Sequence, residues 1–92
     1  GAIKEFDEER MEIKRMYTAP IARGRGIASQ IIDELEKWTV ELGYSKCILE
    51  TGLRQFEAVG FYKKSGYLII PSYGQYKGMA NSICFEKVLI KP

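Results

Sequence analysis

At 92 residues, 46% of them hydrophobic, the chain is one small domain with just enough apolar material for a core, which excludes a disordered protein. Its 14 basic and 12 acidic residues leave a net charge of +2, too balanced to mark a nucleic-acid or membrane-surface protein, and no apolar run approaches the length of a membrane span. The chain has no histidine, which removes Ser-His-Asp and Cys-His catalysis and histidine-ligated metal from its own chemistry; no metal is expected. Cys47 and Cys84 lie inside apolar, strand-like runs and read as buried free thiols in a cytoplasmic setting.

In chain order, residues 1–6 read as a short strand, and Asp7-Glu8-Glu9-Arg10 as the polar turn into a second. From Met11 to Thr18 the pattern alternates, with Met11, Ile13, Arg15 and Tyr17 on one face and Glu12, Lys14, Met16 and Thr18 on the other. Pro20, which lacks an N–H, ends that ladder. The spacing of Ile27, Ala28, Ile31, Ile32, Leu35, Trp38, Thr39 and Leu42 predicts a helix over 26–42 with a continuous apolar stripe, Trp38 packing within it, and Gly43 as its stop. Residues 46–51 follow as a strand. Strand, helix and strand in this order predict a right-handed crossover with parallel strands, whose ligands bind beyond their carboxyl ends.

A second helix is predicted over 55–65, with Lys63 and Lys64 in its last turn and Gly66 as its stop. Gly60 in its interior costs about 1 kcal/mol relative to alanine, which close packing or close approach of a ligand would justify. Residues 67–70 read as a strand, 71–78 as a loop rich in tyrosine and turn formers, and 82–90 as a closing strand. Tyr73 and Tyr76 in that loop either edge a ligand site or cap a core.

The stretch joining the first crossover strand to its helix carries the most specific chemistry. In Arg23-Gly24-Arg25-Gly26-Ile27-Ala28-Ser29 the glycines let a ligand approach main-chain N–H groups at the start of a helix, where those groups lack partners and carry positive partial charge. Two arginines add charge and bidentate hydrogen bonding, so the stretch suits a phosphate or pyrophosphate.

Four separated motifs together resemble the GCN5-related N-acetyltransferases. Arg15-Met16-Tyr17-Thr18 resembles the family's central cofactor-binding strand, and Arg23-Gly24-Arg25-Gly26-Ile27-Ala28 its Gln/Arg-x-x-Gly-x-Gly/Ala pyrophosphate loop. The run from Gln55 through Ala58, Phe61, Tyr62, Lys64 and Gly66 to Tyr67 resembles its later Asn-x-x-Ala-x-x-Leu/Phe-Tyr-x-Lys-x-Gly-Phe/Tyr signature, and residues 82–89 its last strand. The resemblance spans nearly the whole chain, with Gln55 where the family usually has asparagine. It implies an α/β (α+β) fold, a mixed sheet with helices packed on it, lacking the family's amino-terminal strand and helices. Residues 1–92 are thus expected to be a single acetyltransferase-like domain, incomplete at its amino terminus. A homodimer or another partner chain completing it is left open.

The resemblance further implies transfer of an acetyl group from acetyl-CoA (coenzyme A) to a primary amine on a small molecule, an amino acid or a protein. The backbone of Met16, Tyr17 and Thr18 would pair with the pantetheine arm and polarise the acetyl carbonyl. Arg23, Gly24, Arg25, Gly26, Ile27, Ala28 and Ser29 would hold the pyrophosphate, and Gln55 would bond the pantetheine amides. Tyr62 would be the general acid that protonates the departing thiolate, suited to it by an ordinary phenol pKa near 10; its other reading is a core aromatic. The general base is open between Glu50, Glu12 and water. A non-catalytic coenzyme A-binding or protein-interaction module of the same fold is the alternative function, and a nucleic-acid-binding domain is disfavoured by the charge balance.

Overall fold

The computed structural model describes residues 2–14, 25–52 and 54–89. Strands β1 (Ala2–Glu5), β2 (Arg10–Lys14), β3 (Lys46–Gly52), β4 (Leu68–Ile70) and β5 (Ser82–Val88) form one sheet in the order β1-β2-β3-β5-β4. Helices α1 (Arg25–Glu41) and α2 (Phe56–Lys64) supply the connections, and a single 3-10 turn (Gly74–Tyr76) lies between β4 and β5. β2 and β3 are parallel, as a crossover through α1 requires; the other neighbours are antiparallel. This is the mixed α+β sheet that the motifs imply.

Local chemistry explains the element ends. The Asp7 carboxylate accepts the main-chain N–H of Glu9 at 3.0 Å and of Arg10 at 2.8 Å, while its second oxygen meets the Arg10 guanidinium at 2.7 Å, closing the β1–β2 turn. Gly43 and Gly66 have φ of +94° and +95° and stop α1 and α2 in the same way. Behind Gly43, the N–H of Tyr44 reaches the Thr39 carbonyl and that of Gly43 the Val40 carbonyl; Tyr67 and Gly66 repeat the pair on Tyr62 and Lys63.

Register divides the side chains into two populations. Ile13, Cys47, Leu49 and Phe85 share the face covered by the helices and pack with Ala28, Ile32 and Leu35 of α1 and Ala58, Phe61 and Tyr62 of α2. Fully burying each large apolar side chain contributes about 1.5–3 kcal/mol, so this layer is the main source of stability. The opposite face carries Glu12, Ile48, Glu50, Cys84 and Ser82. There Ile48 and Cys84 are covered by Tyr73 from the β4–β5 loop. Both cysteines are free and buried on opposite faces of the sheet; burial pushes the Cys47 thiol up.

Buried polar groups are matched across the chain. Thr39, fully buried in α1, donates its hydroxyl to the Leu35 carbonyl at 2.8 Å and accepts from the Cys47 thiol. Tyr67, 2% exposed, donates to the Glu36 carboxylate at 2.9 Å, and Lys87 pairs with the other Glu36 oxygen at 3.2 Å. That three-residue clamp joins α1, the end of α2 and β5.

The structure corrects several expectations. Trp38 and Leu42 are each 50% exposed, so among the described side chains the packed seam of α1 runs through Ala28, Ile32, Leu35 and Thr39, with Ile31 half-buried beside it. At about 100° per residue Trp38 falls a quarter-turn from that seam, and Leu42 lies past the last helical residue. α2 is shorter than 55–65 at both ends, with Gln55 as its N-cap and Ser65 as its C-cap. The final strand ends at Val88. A Cβ at Gly60 would meet nothing within 4 Å, so close packing among the described residues does not account for this glycine. Among the described residues, no helix is long and apolar enough to cross a membrane.

Candidate acetyl-transfer site

The carboxyl end of β3 presents two different sides. On the helix-covered face, Thr51 is 7% exposed and its hydroxyl meets Gln55 Oε1 at a long 3.5 Å. That contact orients the Gln55 amide so that its NH₂ group is the free donor. On the opposite face, Ser82 Oγ–H donates to Glu50 Oε2 at 2.7 Å, across the β3–β5 pair. The strand end therefore carries an amide on one side and a hydrogen-bonded carboxylate on the other.

Tyr62 belongs to the helix side. It is 5% exposed, with the Phe61, Phe85 and Tyr67 rings at centroid distances of 5.5, 5.7 and 6.1 Å. Burial pushes its pKa up to about 12. Tyr67 and Tyr73 are buried as well, and each hydroxyl donates to a carboxylate, Glu36 and Glu12 respectively. The Tyr62 hydroxyl has no hydrogen-bond partner among the described residues. Buried hydroxyls are normally paired, so this one is either left at a cost of about 1–3 kcal/mol or reserved for a ligand.

The two carboxylates named as candidate bases differ. Glu12 is 7% exposed; it accepts from Tyr73 at 2.9 Å and lies 3.5 Å from the Lys14 ammonium, which also meets the Tyr76 hydroxyl. The Tyr73–Glu12 and Lys14–Tyr76 contacts tie the β4–β5 loop onto the sheet, so the tyrosines cap a core. Glu50 holds only the Ser82 hydroxyl among the described residues and sits nearer the strand's carboxyl end.

At the start of α1, Gly26 and Ser29 are exposed and Ala28 is buried, and a Cβ at Gly26 would meet nothing within 4 Å. Among the described residues nothing covers the first turn at Gly26. Arg25 and Ile27 belong to that helix by their backbone. Met16, Tyr17, Thr18, Arg23 and Gly24 lie outside the described residues. Thr51 and Ser82 carry no signal of their own in the sequence, because each matters only through a partner that folding brings to it. Among the described residues no cluster of three metal-ligating side chains occurs.

Comparison with known proteins places the chain in a family. Residues 1–67 match the family model described as Acetyltransferase (GNAT) family. The chain is 33% identical over 78 residues to an IAA acetyltransferase of Azospirillum brasilense, an alignment that takes in 85% of this chain and 51% of that protein. A structure from Klebsiella pneumoniae, of a candidate acyl-CoA N-acyltransferase, superposes with a TM-score of 0.85 at 28% identity, over 96% of this chain and 61% of that one. A GNAT family acetyltransferase from Elizabethkingia anophelis, solved with acetyl-CoA bound, shares the fold with a TM-score of 0.76 at 20% identity, over 95% and 65% of the two chains. The chain belongs to the GNAT acetyltransferase family. It spans about half to two thirds of the length of the relatives it matches.

Proposed function

We propose that this protein transfers the acetyl group of acetyl-CoA to a primary amine of a small molecule, an amino acid or a protein, by direct attack and in a cytoplasmic setting. The observation that carries the reading is the buried Tyr62 hydroxyl, without a partner among the described residues, on the helix-covered side of the sheet, the face that Thr51 of β3 shares. The acetyl-CoA bound to the Elizabethkingia relative supports the choice of donor.

In this reading the donor lies on the helix side. Residues 23–29 hold the pyrophosphate through backbone N–H groups and arginine charge, the Met16–Thr18 backbone lies along the pantetheine arm, and the Gln55 NH₂ bonds one of its amide carbonyls. The acceptor approaches from the other face of β3, where Glu50 lies. As the amine nitrogen bonds to the acetyl carbon and the C–S bond breaks, the nitrogen's proton passes to Glu50, directly or through a water. The Tyr62 O–H gives its proton to the departing sulfur. A phenol with a pKa of about 12 stays protonated throughout the neutral range and so remains a competent acid. Glu12, already committed to Tyr73 and Lys14, holds the loop instead.

Calorimetry with acetyl-CoA and with an oligonucleotide tests the assignment, followed by thiol release with a panel of primary amines. Saturable acetyl-CoA binding and amine-dependent thiol release are expected. Tight oligonucleotide binding without acetyl-CoA binding would overturn it. Acetyl-CoA binding with no thiol release for any amine would mark a non-catalytic module.

A further inference from the structure

The carboxylates that tie the fold together share one arrangement. Glu12 accepts the Tyr73 phenol and faces the Lys14 ammonium; Glu36 accepts the Tyr67 phenol and faces the Lys87 ammonium. Glu50 departs from it. Among the described residues its carboxylate has a single partner, the Ser82 hydroxyl at 2.7 Å on Oε2, and no cation pairs with it. Its Oε1 is left without a partner among those residues, on a half-buried side chain near the carboxyl end of β3.

The register explains why this contact forms. In the antiparallel β3–β5 pair Gly52 lies opposite Ser82 and Cys84 opposite Glu50, so Ser82 and Glu50 are diagonal neighbours on one face. Gly52 offers no side chain to meet Ser82, and the hydroxyl turns along the diagonal to the carboxylate. The serine is itself fixed from behind. Its N–H donates to the Met79 carbonyl at 3.3 Å, and the Met79 N–H to the Tyr76 carbonyl at 3.0 Å. Those turns lead back to the loop that Tyr73 and Tyr76 fasten to Glu12 and Lys14. A short hydrogen bond to a charged acceptor is among the stronger kinds, and here its donor sits on a strand.

We infer that Ser82 is a positioning residue for acetyl transfer, which anchors Oε2 of Glu50 and so aims Oε1 at the amine of the acceptor. The inference rests on the proposed role of Glu50 as the base and names the group that orients it. A glutamate has several rotatable side-chain bonds, and a base that samples many rotamers spends little time within reach of the proton it must take. Ser82 removes that freedom with a neutral group. An ammonium in its place would also repel the cationic form in which a primary amine arrives. The serine exchanges no proton: its O–H stays on Oγ while the amine's proton passes to Oε1, directly or through a water.

Steady-state thiol release with a primary amine, read beside thermal melts, tests this on Ser82→Thr, Ser82→Val, Ser82→Ala, Glu50→Gln and Ser82→Val combined with Glu50→Gln. Threonine and valine have nearly the same shape and both suit a strand, so they differ here chiefly in the hydroxyl. Ser82→Ala repeats the deletion with a smaller side chain, should valine lower the melt. Ser82→Thr is expected to keep kcat within about twofold of the parent, and Ser82→Val and Ser82→Ala to lower it about three- to tenfold, part of what a general base contributes. KM for acetyl-CoA should stay within about twofold in every variant, because the contact lies on the acceptor side. In the Glu50→Gln background Ser82→Val should cost nothing further, since its effect passes through the carboxylate. Parent turnover in Ser82→Val and Ser82→Ala, with Glu50→Gln impaired, would overturn the role of Ser82 and leave the acetyl-transfer reading intact. Ser82→Thr as impaired as Ser82→Val, or the same further loss in the Glu50→Gln background, would do so too. Glu50→Gln turning over like the parent would overturn the roles of both residues but not acetyl transfer. A parent that releases no thiol with any primary amine would overturn the acetyl-transfer reading and this inference together.

Discussion

The Tyr73 hydroxyl donates to Glu12 Oε2 at 2.9 Å across 61 residues of chain, and both side chains are more than 90% buried. The bond holds the β4–β5 loop against the sheet and satisfies a carboxylate that could not otherwise be buried cheaply. Tyr73→Phe removes the donor and leaves Lys14 as the remaining partner of Glu12. A loss of about 1.5–3 kcal/mol in urea-unfolding stability is expected, as for other hydrogen bonds to charged groups.

Stability should fall in alkali. Burial raises Tyr62 to about 12, and burial together with a neighbouring carboxylate raises Tyr67 and Tyr73 as well. A group whose pKa is raised on folding contributes stability that is complete below its unfolded value and is lost as pH climbs through the folded one. The unfolded phenol titrates near 10, so unfolding free energy should be insensitive to these groups up to about pH 10. Between about pH 10 and 12 it should drop by about 1.4 kcal/mol per pH unit for each buried tyrosine. Denaturant midpoints measured from pH 8 to 12 check this.

The Glu36–Tyr67–Lys87 clamp makes a separate prediction. Glu36→Ala strands the 2%-exposed Tyr67 hydroxyl and unpairs Lys87. It should cost about 2–3 kcal/mol in chemical denaturation. Glu36→Gln keeps an acceptor for Tyr67 and should cost less.

Much of the fold is legible in the sequence, for identifiable reasons. The seam Ala28, Ile32, Leu35 and Thr39 repeats at helical spacing, and glycines stand where α1 and α2 stop, so both helices declare themselves locally. Trp38 and Leu42 mislead because an apolar residue beside a stripe looks the same in one dimension whether or not anything covers it. Gln55 and Tyr62 are legible as site candidates through a short contiguous motif. The difference between Glu12 and Glu50 is not, because it is set by Tyr73 and Ser82, which lie 61 and 32 residues away.

That difference predicts divergent variants. Glu50→Gln should lower turnover at least about tenfold while leaving stability and acetyl-CoA affinity near the parent values, as loss of a general base does. Glu12→Gln should chiefly lower the unfolding midpoint. Steady-state thiol release read beside thermal melts separates the two outcomes.

The most direct measurement is thiol release from acetyl-CoA by Tyr62→Phe beside the parent, with acetyl-CoA affinity determined for both. The substitution removes one oxygen from a side chain whose ring contacts remain, so binding should stay within about twofold while turnover falls about 10²-fold or more. Turnover equal to the parent, in a variant that still binds acetyl-CoA, would contradict the assignment of Tyr62 as the acid and return it to the core as a packing residue.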